Sequence, residues 1–336
     1  MRQNNFDFLR IFFAFIVVIG HIIVISDLEV FQKYTPYFNT YVSITGFFCI
    51  SGFLIAGSYI RSKSFKDYLK KRAARILPPY ILIILLCAFG FSLISEYSFV
   101  DYFTSTQFYR YLAANLSFLN FLQPCLPGVF TGESSTYCFV NGSLWTIKIE
   151  VAFYLSIPVI LYFAKRIKKK YILFATLYIV SVAYRLYLSH LGHSTGNHSY
   201  VILARQLPGF ISYFSCGIAF YYYFDYFIKH KFHFLSIGII LYIFEMFMDI
   251  EILTPFALSC IIFSFAYSFK KLNNFGKYGD ISYGIYIYHY PIIQLAINFG
   301  YFERYNPYIV ALIVVLVVIS TGFLSWHLLE KRFLKR

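Results

Sequence analysis

One long apolar run near the amino terminus contains both an arginine and a histidine: Asn5-Phe-Asp-Phe-Leu-Arg10-Ile-Phe-Phe-Ala-Phe-Ile-Val-Val-Ile-Gly-His21. Its length matches the roughly 20 residues that a helix needs to cross a bilayer. His21 follows Arg10 by about three helical turns, so both side chains leave nearly the same face, roughly 16 Å apart along the axis. An arginine in hydrocarbon costs about 2.5–3.5 kcal/mol on insertion scales, and such groups face a protein interior or a wet cavity. The helix therefore reads as one wall of a site that passes through the membrane. The competing reading is an Arg10 that snorkels to the interface and a His21 bonded to a neighbouring helix.

The rest of the chain has the same character. It has 336 residues, 59% hydrophobic and 13% charged, where a soluble domain has about 45–50% and about 25%. The apolar runs are continuous and do not alternate, which excludes an outer-membrane barrel. The chain is expected to be an all-α, polytopic helical membrane protein with ten transmembrane helices. Their expected positions are 6–26, 38–60, 77–95, 144–164, 171–190, 203–224, 233–248, 252–269, 281–299 and 308–328. No small-x-small cleavage site follows His21, so the first run is not read as a signal peptide. A single integral-membrane domain over 1–336 is expected, with no appended soluble domain.

Charge sets the orientation. With the amino terminus inside, the cytoplasmic segments carry Arg2, the cluster from Arg61 to Arg75, the cluster from Lys165 to Lys170, Lys229 and Lys231, then Lys270, Lys271 and Lys277, and finally Lys331, Arg332, Lys335 and Arg336. The outer segments carry Lys33, Arg110 and Arg304. This bias places both termini in the cytoplasm. The net charge of +14 is thus mainly a topology signal, and it gives nucleic-acid binding little support because no recognisable module accompanies it. The basic loops also suit anionic lipid headgroups. The absence of a Walker loop argues against ATP-driven transport by this chain alone.

Several stretches carry candidate chemistry. The second span contains Gly46-Phe-Phe-Cys-Ile-Ser51-Gly52-Phe-Leu-Ile55, whose small residues allow a close helix approach. Before the third span, Arg72 and Arg75 stand three apart and share a helical face. They either grip a phosphorylated ligand with two guanidinium forks or act as positive-inside anchors. Pro78 and Pro79 then start or kink the helix that follows. Cys125 and Cys138 lie in the long outer segment 96–142. An oxidising exterior permits a bridge between them, but spacing does not decide it.

The fourth span opens Gly142-Ser-Leu-Trp145-Thr-Ile-Lys148-Ile-Glu150. Glu150 falls at the depth estimated for His21. It either orients that imidazole or pairs with Arg185 or Arg205. In the ninth span Ser282, Tyr286 and His289 form one stripe, with His289 near mid-membrane, where a histidine lines a polar cavity or bonds a neighbouring helix. His190, His193 and His198 have no cysteine partners and no closed zinc spacing, so no metal is expected.

These pieces, taken in order, resemble the acyltransferase-3 family of bacterial membrane acyltransferases, which includes polysaccharide O-acetylases. The resemblance is carried by Arg10 through His21, by the stretch around Ser51-Gly52, and by Arg72-x-x-Arg75 before Pro78. It continues through Trp145 to Glu150 and Phe153-Tyr154, Ser282-Tyr283 to His289 and Pro291, and Glu330-Lys-Arg332. It covers essentially the whole chain and departs from the family pattern at Gly46, Lys148 and Val151. The resemblance implies transfer of an acyl group, usually acetyl, from cytoplasmic acyl-CoA to a hydroxyl of an extracytoplasmic or lipid-linked glycan. It implies His21 as general base or acyl acceptor, and Glu150 as its orienting or charge-stabilising partner. Arg10, Arg72 and Arg75 are then donor-binding residues, with Trp145, Ser282, Tyr286 and His289 along the substrate route. The implied setting is a bacterial cytoplasmic membrane. A transporter or flippase and a lipid-linked glycan polymerase are the alternatives; neither needs the inner arginine pair as a phosphate clamp.

Overall fold

The computed structural model describes residues 4–132, 138–248, 251–273 and 275–334. Arg2, Lys335 and Arg336, part of the charge pattern above, lie outside them. The described residues contain helices and no strand. The principal helices are α1 Phe6–Ser26, α2 Thr40–Ile60, α3 Phe65–Gly90, α4 Phe99–Thr104, α5 Thr106–Leu116, α6 Trp145–Arg166, α7 Lys170–Thr195, α8 Leu207–Tyr222, α9 Lys231–Met248, α10 Thr254–Ala266, α11 Ser282–Asn298 and α12 Pro307–Ser325.

Each expected span overlaps one of these principal helices, but the ends differ. Among the described residues, eight helices are long and apolar enough to cross a membrane. α10 and α11 fall outside that group, with 13 and 17 residues. At ~1.5 Å per residue α10 is roughly 20 Å long, short of a ~30 Å hydrocarbon core. The apolar run at 252–269 is longer than its helix because Pro255 sits in the first helical turn and the helix stops at Ala266. α3 begins well before the expected position 77, so Pro78 and Pro79 lie inside it and do not start it. Arg72, Arg75 and the apolar stretch beyond them therefore share one helix. The outer histidines are also more helical than expected: His190 and His193 are on α7, and His198 opens a short helix.

The chain divides into two compact units, each assembled from separate segments. The first comprises Met1–Arg10, Tyr41–Leu69 and Ile149–Lys277. Its core is aromatic. Phe153 stacks on Phe214 with ring centroids 4.1 Å apart, and Phe48 meets Phe153 and Phe210 at 5.1 and 5.0 Å. α2 and α8 cross where Gly52 faces Gly217. A Cβ on Gly52 would stand 2.1 Å from the Phe214 carbonyl oxygen, and one on Gly217 would stand 2.1 Å from that of Cys49. The small residues of the second span thus serve close packing, as their composition suggested.

The second unit comprises Ile11–Thr40, Lys70–Lys148 and Tyr278–Arg336. α11 and α12 cross with Gly284 against Gly322. The outer segment is a folded piece. The Tyr80 hydroxyl donates to the Asn115 carbonyl at 2.7 Å, and Tyr102 donates to that of Ala88 at 2.8 Å. The Asn115 amide donates in turn to the carbonyls of Tyr111 and Gln123. Burial pushes the Tyr102 and Tyr111 phenols up from their ordinary range. Cys125 and Cys138 form a disulfide. The free cysteines Cys49, Cys87, Cys216 and Cys260 are buried.

Candidate active site

The site is built on α11, whose backbone is shaped by Pro291. A proline has no N–H, so the Ile287 carbonyl four residues earlier loses its helical donor. Nδ2 of Asn141 donates to that carbonyl at 2.9 Å, and Oδ1 of Asn141 accepts from the Ser143 hydroxyl at 2.7 Å. The strand of chain leading into α6 is thereby pinned to the middle of α11. The Thr146 hydroxyl donates to the Ser143 carbonyl at 3.0 Å. Its proton is committed there, so in the 2.6 Å contact between the Thr146 hydroxyl and the Tyr286 phenol the phenol is the donor.

His289 lies one turn beyond Tyr286 and is fully buried. Its Nδ1 is 2.6 Å from the Tyr286 carbonyl oxygen, and its Nε2 is 2.6 Å from Nδ1 of His21. The two ring planes differ by 10°. A nitrogen–nitrogen distance that short is less than the thickness of a stacked pair, so the rings meet edge to edge in nearly one plane.

The hydrogen-bond roles then follow in order. A carbonyl only accepts, so Nδ1 of His289 carries a proton. In a neutral ring its Nε2 is then bare and accepts from Nδ1 of His21. A neutral His21 is left with its lone pair on Nε2, which is the form of imidazole that removes protons. His21 keeps some accessible surface, while His289 has none. His21 is therefore the more accessible ring of the two, and His289 stands behind it.

A second polar cluster marks the start of α11. Asp280 accepts from the backbone N–H and hydroxyl of Ser282 at 3.2 and 2.5 Å. Its other oxygen receives Nη2 of Arg75 at 2.5 Å. Nη1 of Arg75 lies 3.9 Å from the buried Glu330 carboxylate, which also accepts from the Ser325 hydroxyl at 2.9 Å. The Arg75 guanidinium is further flanked by the rings of Tyr283 and Trp326, at 6.0 and 5.9 Å. Arg75 is thus held by carboxylates of its own unit, with Arg72 one turn earlier on the same helix. Trp145 is half-buried at the start of α6.

The remaining candidates belong to the first unit. Arg10 is half-buried near the start of α1. Glu150 accepts from the Tyr154 hydroxyl one turn later at 2.6 Å. Of the two arginines considered as its partners, Arg185 instead pairs with Glu251 at 3.6 Å and donates to the carbonyls of Glu251 and Gly209. Arg205 lies over the ring of Tyr41. Among the described residues no group of three or more His, Cys, Asp and Glu is arranged to hold a metal ion.

Sequence reasoning placed His21 and His289 on different spans without pairing them, and it gave Asp280 and Asn141 no role. Two local signals pointed to them. Asp280 lies two residues before Ser282, where a carboxylate meets the open N–H groups of a helix start. Pro291 identifies the carbonyl that needs an outside donor.

The long apolar helices define an integral membrane protein, with a hydrogen-bonded imidazole pair among them. The chain belongs to the acyltransferase-3 family, whose acyltransferase domain matches residues 3–327. It is 28% identical to a protein named O-acetyl transferase from Shigella phage Sf6, over all of this chain and 97% of the phage protein. It is 27% identical to nodulation protein 10 of Rhizobium leguminosarum bv. viciae, over 99% of this chain and 94% of that protein. No solved structure matches. The family match sets aside the transporter and polymerase readings.

Proposed function

We propose that this membrane acyltransferase is an O-acetyltransferase that takes its acyl group from acyl-CoA on the cytoplasmic side and passes it to a glycan hydroxyl on the outer side. The observation that carries the reading is the hydrogen-bonded pair of His21 and His289, which leaves a basic nitrogen on the more accessible ring. The name of the phage relative supports the acetyl group and the oxygen acceptor. The charge pattern supports a cytoplasmic membrane with both termini inside.

In this mechanism Nε2 of His21 takes the acceptor hydroxyl proton as the oxygen attacks the thioester carbonyl. The carbon–sulfur bond breaks, and the departing thiolate receives the proton from the imidazolium. Glu150, which accepts from the Tyr154 hydroxyl, keeps the orienting or charge-stabilising role that the family resemblance implies. Arg10 and Arg72 are each assigned to the anionic donor. Arg75, already bound by Asp280, positions the start of α11. Trp145, Ser282 and Tyr286 shape the route.

The test is label transfer from radioactive acetyl-CoA to a mixed glycan acceptor in proteoliposomes. Label should reach glycan with the wild type and be lost in His21→Ala. Absence of CoA release by the wild type with every acceptor would overturn the donor assignment. Full activity in His21→Ala would overturn the mechanism.

A further inference from the structure

The outer segment of the second unit has a surface that water does not suit. Leu93 is 85% exposed and Phe99 is 69% exposed, with Val100, Phe121 and Leu122 also open. Large apolar side chains left open in one segment mark a binding or membrane-contact face.

Its placement identifies what covers it. α3 crosses the membrane and ends at Gly90. On its last turns Leu86 and Phe89 are exposed, as residues of a spanning helix that face lipid. Phe89 stacks with Phe103 of α4 at 6.0 Å, and Phe103 meets Phe99 at 4.7 Å. The Tyr102 hydroxyl fixes the same short helix to the Ala88 carbonyl. A ladder of rings therefore runs without a break from the lipid-facing side of a spanning helix onto α4. An element joined in this way stays at the depth where its helix leaves the bilayer.

We propose that the α4–α5 segment is an interfacial collar, with its exposed apolar side chains seated at the headgroup–acyl boundary of the leaflet into which α3 emerges. Its composition fits that boundary, where aromatic rings concentrate and amphipathic helices bury their apolar face about 5–10 Å deep. In the orientation given by the charges this is the outer leaflet. The collar belongs to the unit that carries His21 and His289. It depends on the membrane class of the protein and not on the identity of donor or acceptor.

Nitroxide labels on Val100→Cys and, separately, Leu93→Cys test the proposal in nanodiscs of phosphatidylethanolamine and phosphatidylglycerol. Both positions are exposed, so the labels do not disturb packing. Oxygen, which partitions into hydrocarbon, should relax both labels more strongly than a water-soluble nickel chelate. A stronger effect of the chelate at both positions would show a surface in water and overturn the proposal. Shielding from both reagents, with dipolar broadening that disappears on dilution with unlabelled protein, would show a second copy on this face and also overturn it.

Discussion

Nδ1 of His21 lies 2.6 Å from Nε2 of His289, a contact between residues 268 positions apart in the chain. Because Nδ1 of His289 is committed to the Tyr286 carbonyl, one hydrogen-bond direction satisfies both neutral rings. His289 should therefore act as a positioning residue that fixes the tautomer of His21. His289→Leu is expected to lower kcat for acyl transfer about 10²-fold, within the range that a placed base contributes, with KM little changed. His289→Gln should recover part of that loss, since its amide oxygen can accept from Nδ1 of His21. Equal loss in both variants would indicate that His289 only fills space.

The two inner arginines should separate under mutation. Arg75 is paired with Asp280 and approaches Glu330. Removing one member of a buried pair strands the other, at about 3–5 kcal/mol for full burial. Arg75→Ala should therefore lower the thermal midpoint markedly. Arg72→Ala should mainly raise KM for acyl-CoA. Thermal scans in detergent and donor titrations in proteoliposomes measure the two effects, and a reversed pattern would exchange the roles.

Packing of α2 against α8 depends on Gly52 and Gly217, each facing backbone at a distance that excludes a Cβ. Gly52→Ala and Gly217→Ala should each destabilise by about 1–3 kcal/mol, the usual effect of overpacking. Because the sites touch, the double variant should lose less than the sum. Unfolding midpoints of the three variants provide the comparison.

The disulfide between Cys125 and Cys138 closes the outer segment over 13 positions. Replacing both cysteines with serine should cost about 2–4 kcal/mol of local stability. Limited proteolysis from outside should then cut between residues 96 and 142 faster than in the wild type.

Helices and their order were legible because a continuous apolar run has few solutions in a bilayer. The stripe of Ser282, Tyr286 and His289 was legible because helical spacing fixes which residues share a face. The pairing of His21 with His289 was not, since spacing within one helix says nothing about which helix lies opposite. The early start of α3 was hidden by its charges. Lys66, Lys70 and Lys71 read as a loop by hydropathy, although lysine suits a helix well. The ion pairs of Arg75 were not legible because its carboxylate partners come from residues 280 and 330, far along the chain.

α11 carries Asp280's partner Ser282 at its start and His289 near its middle. At ~1.5 Å per residue those two side chains are separated by only about 10 Å of helix. The inner ion cluster and the imidazole pair are therefore much closer along this helix than the ~30 Å thickness of a hydrocarbon core. In the proposed mechanism a donor anchored at the inner end extends its thioester along about two helical turns. The acyl group then covers only part of the membrane thickness in that mechanism, and the protein has no need to carry a whole substrate from one side to the other.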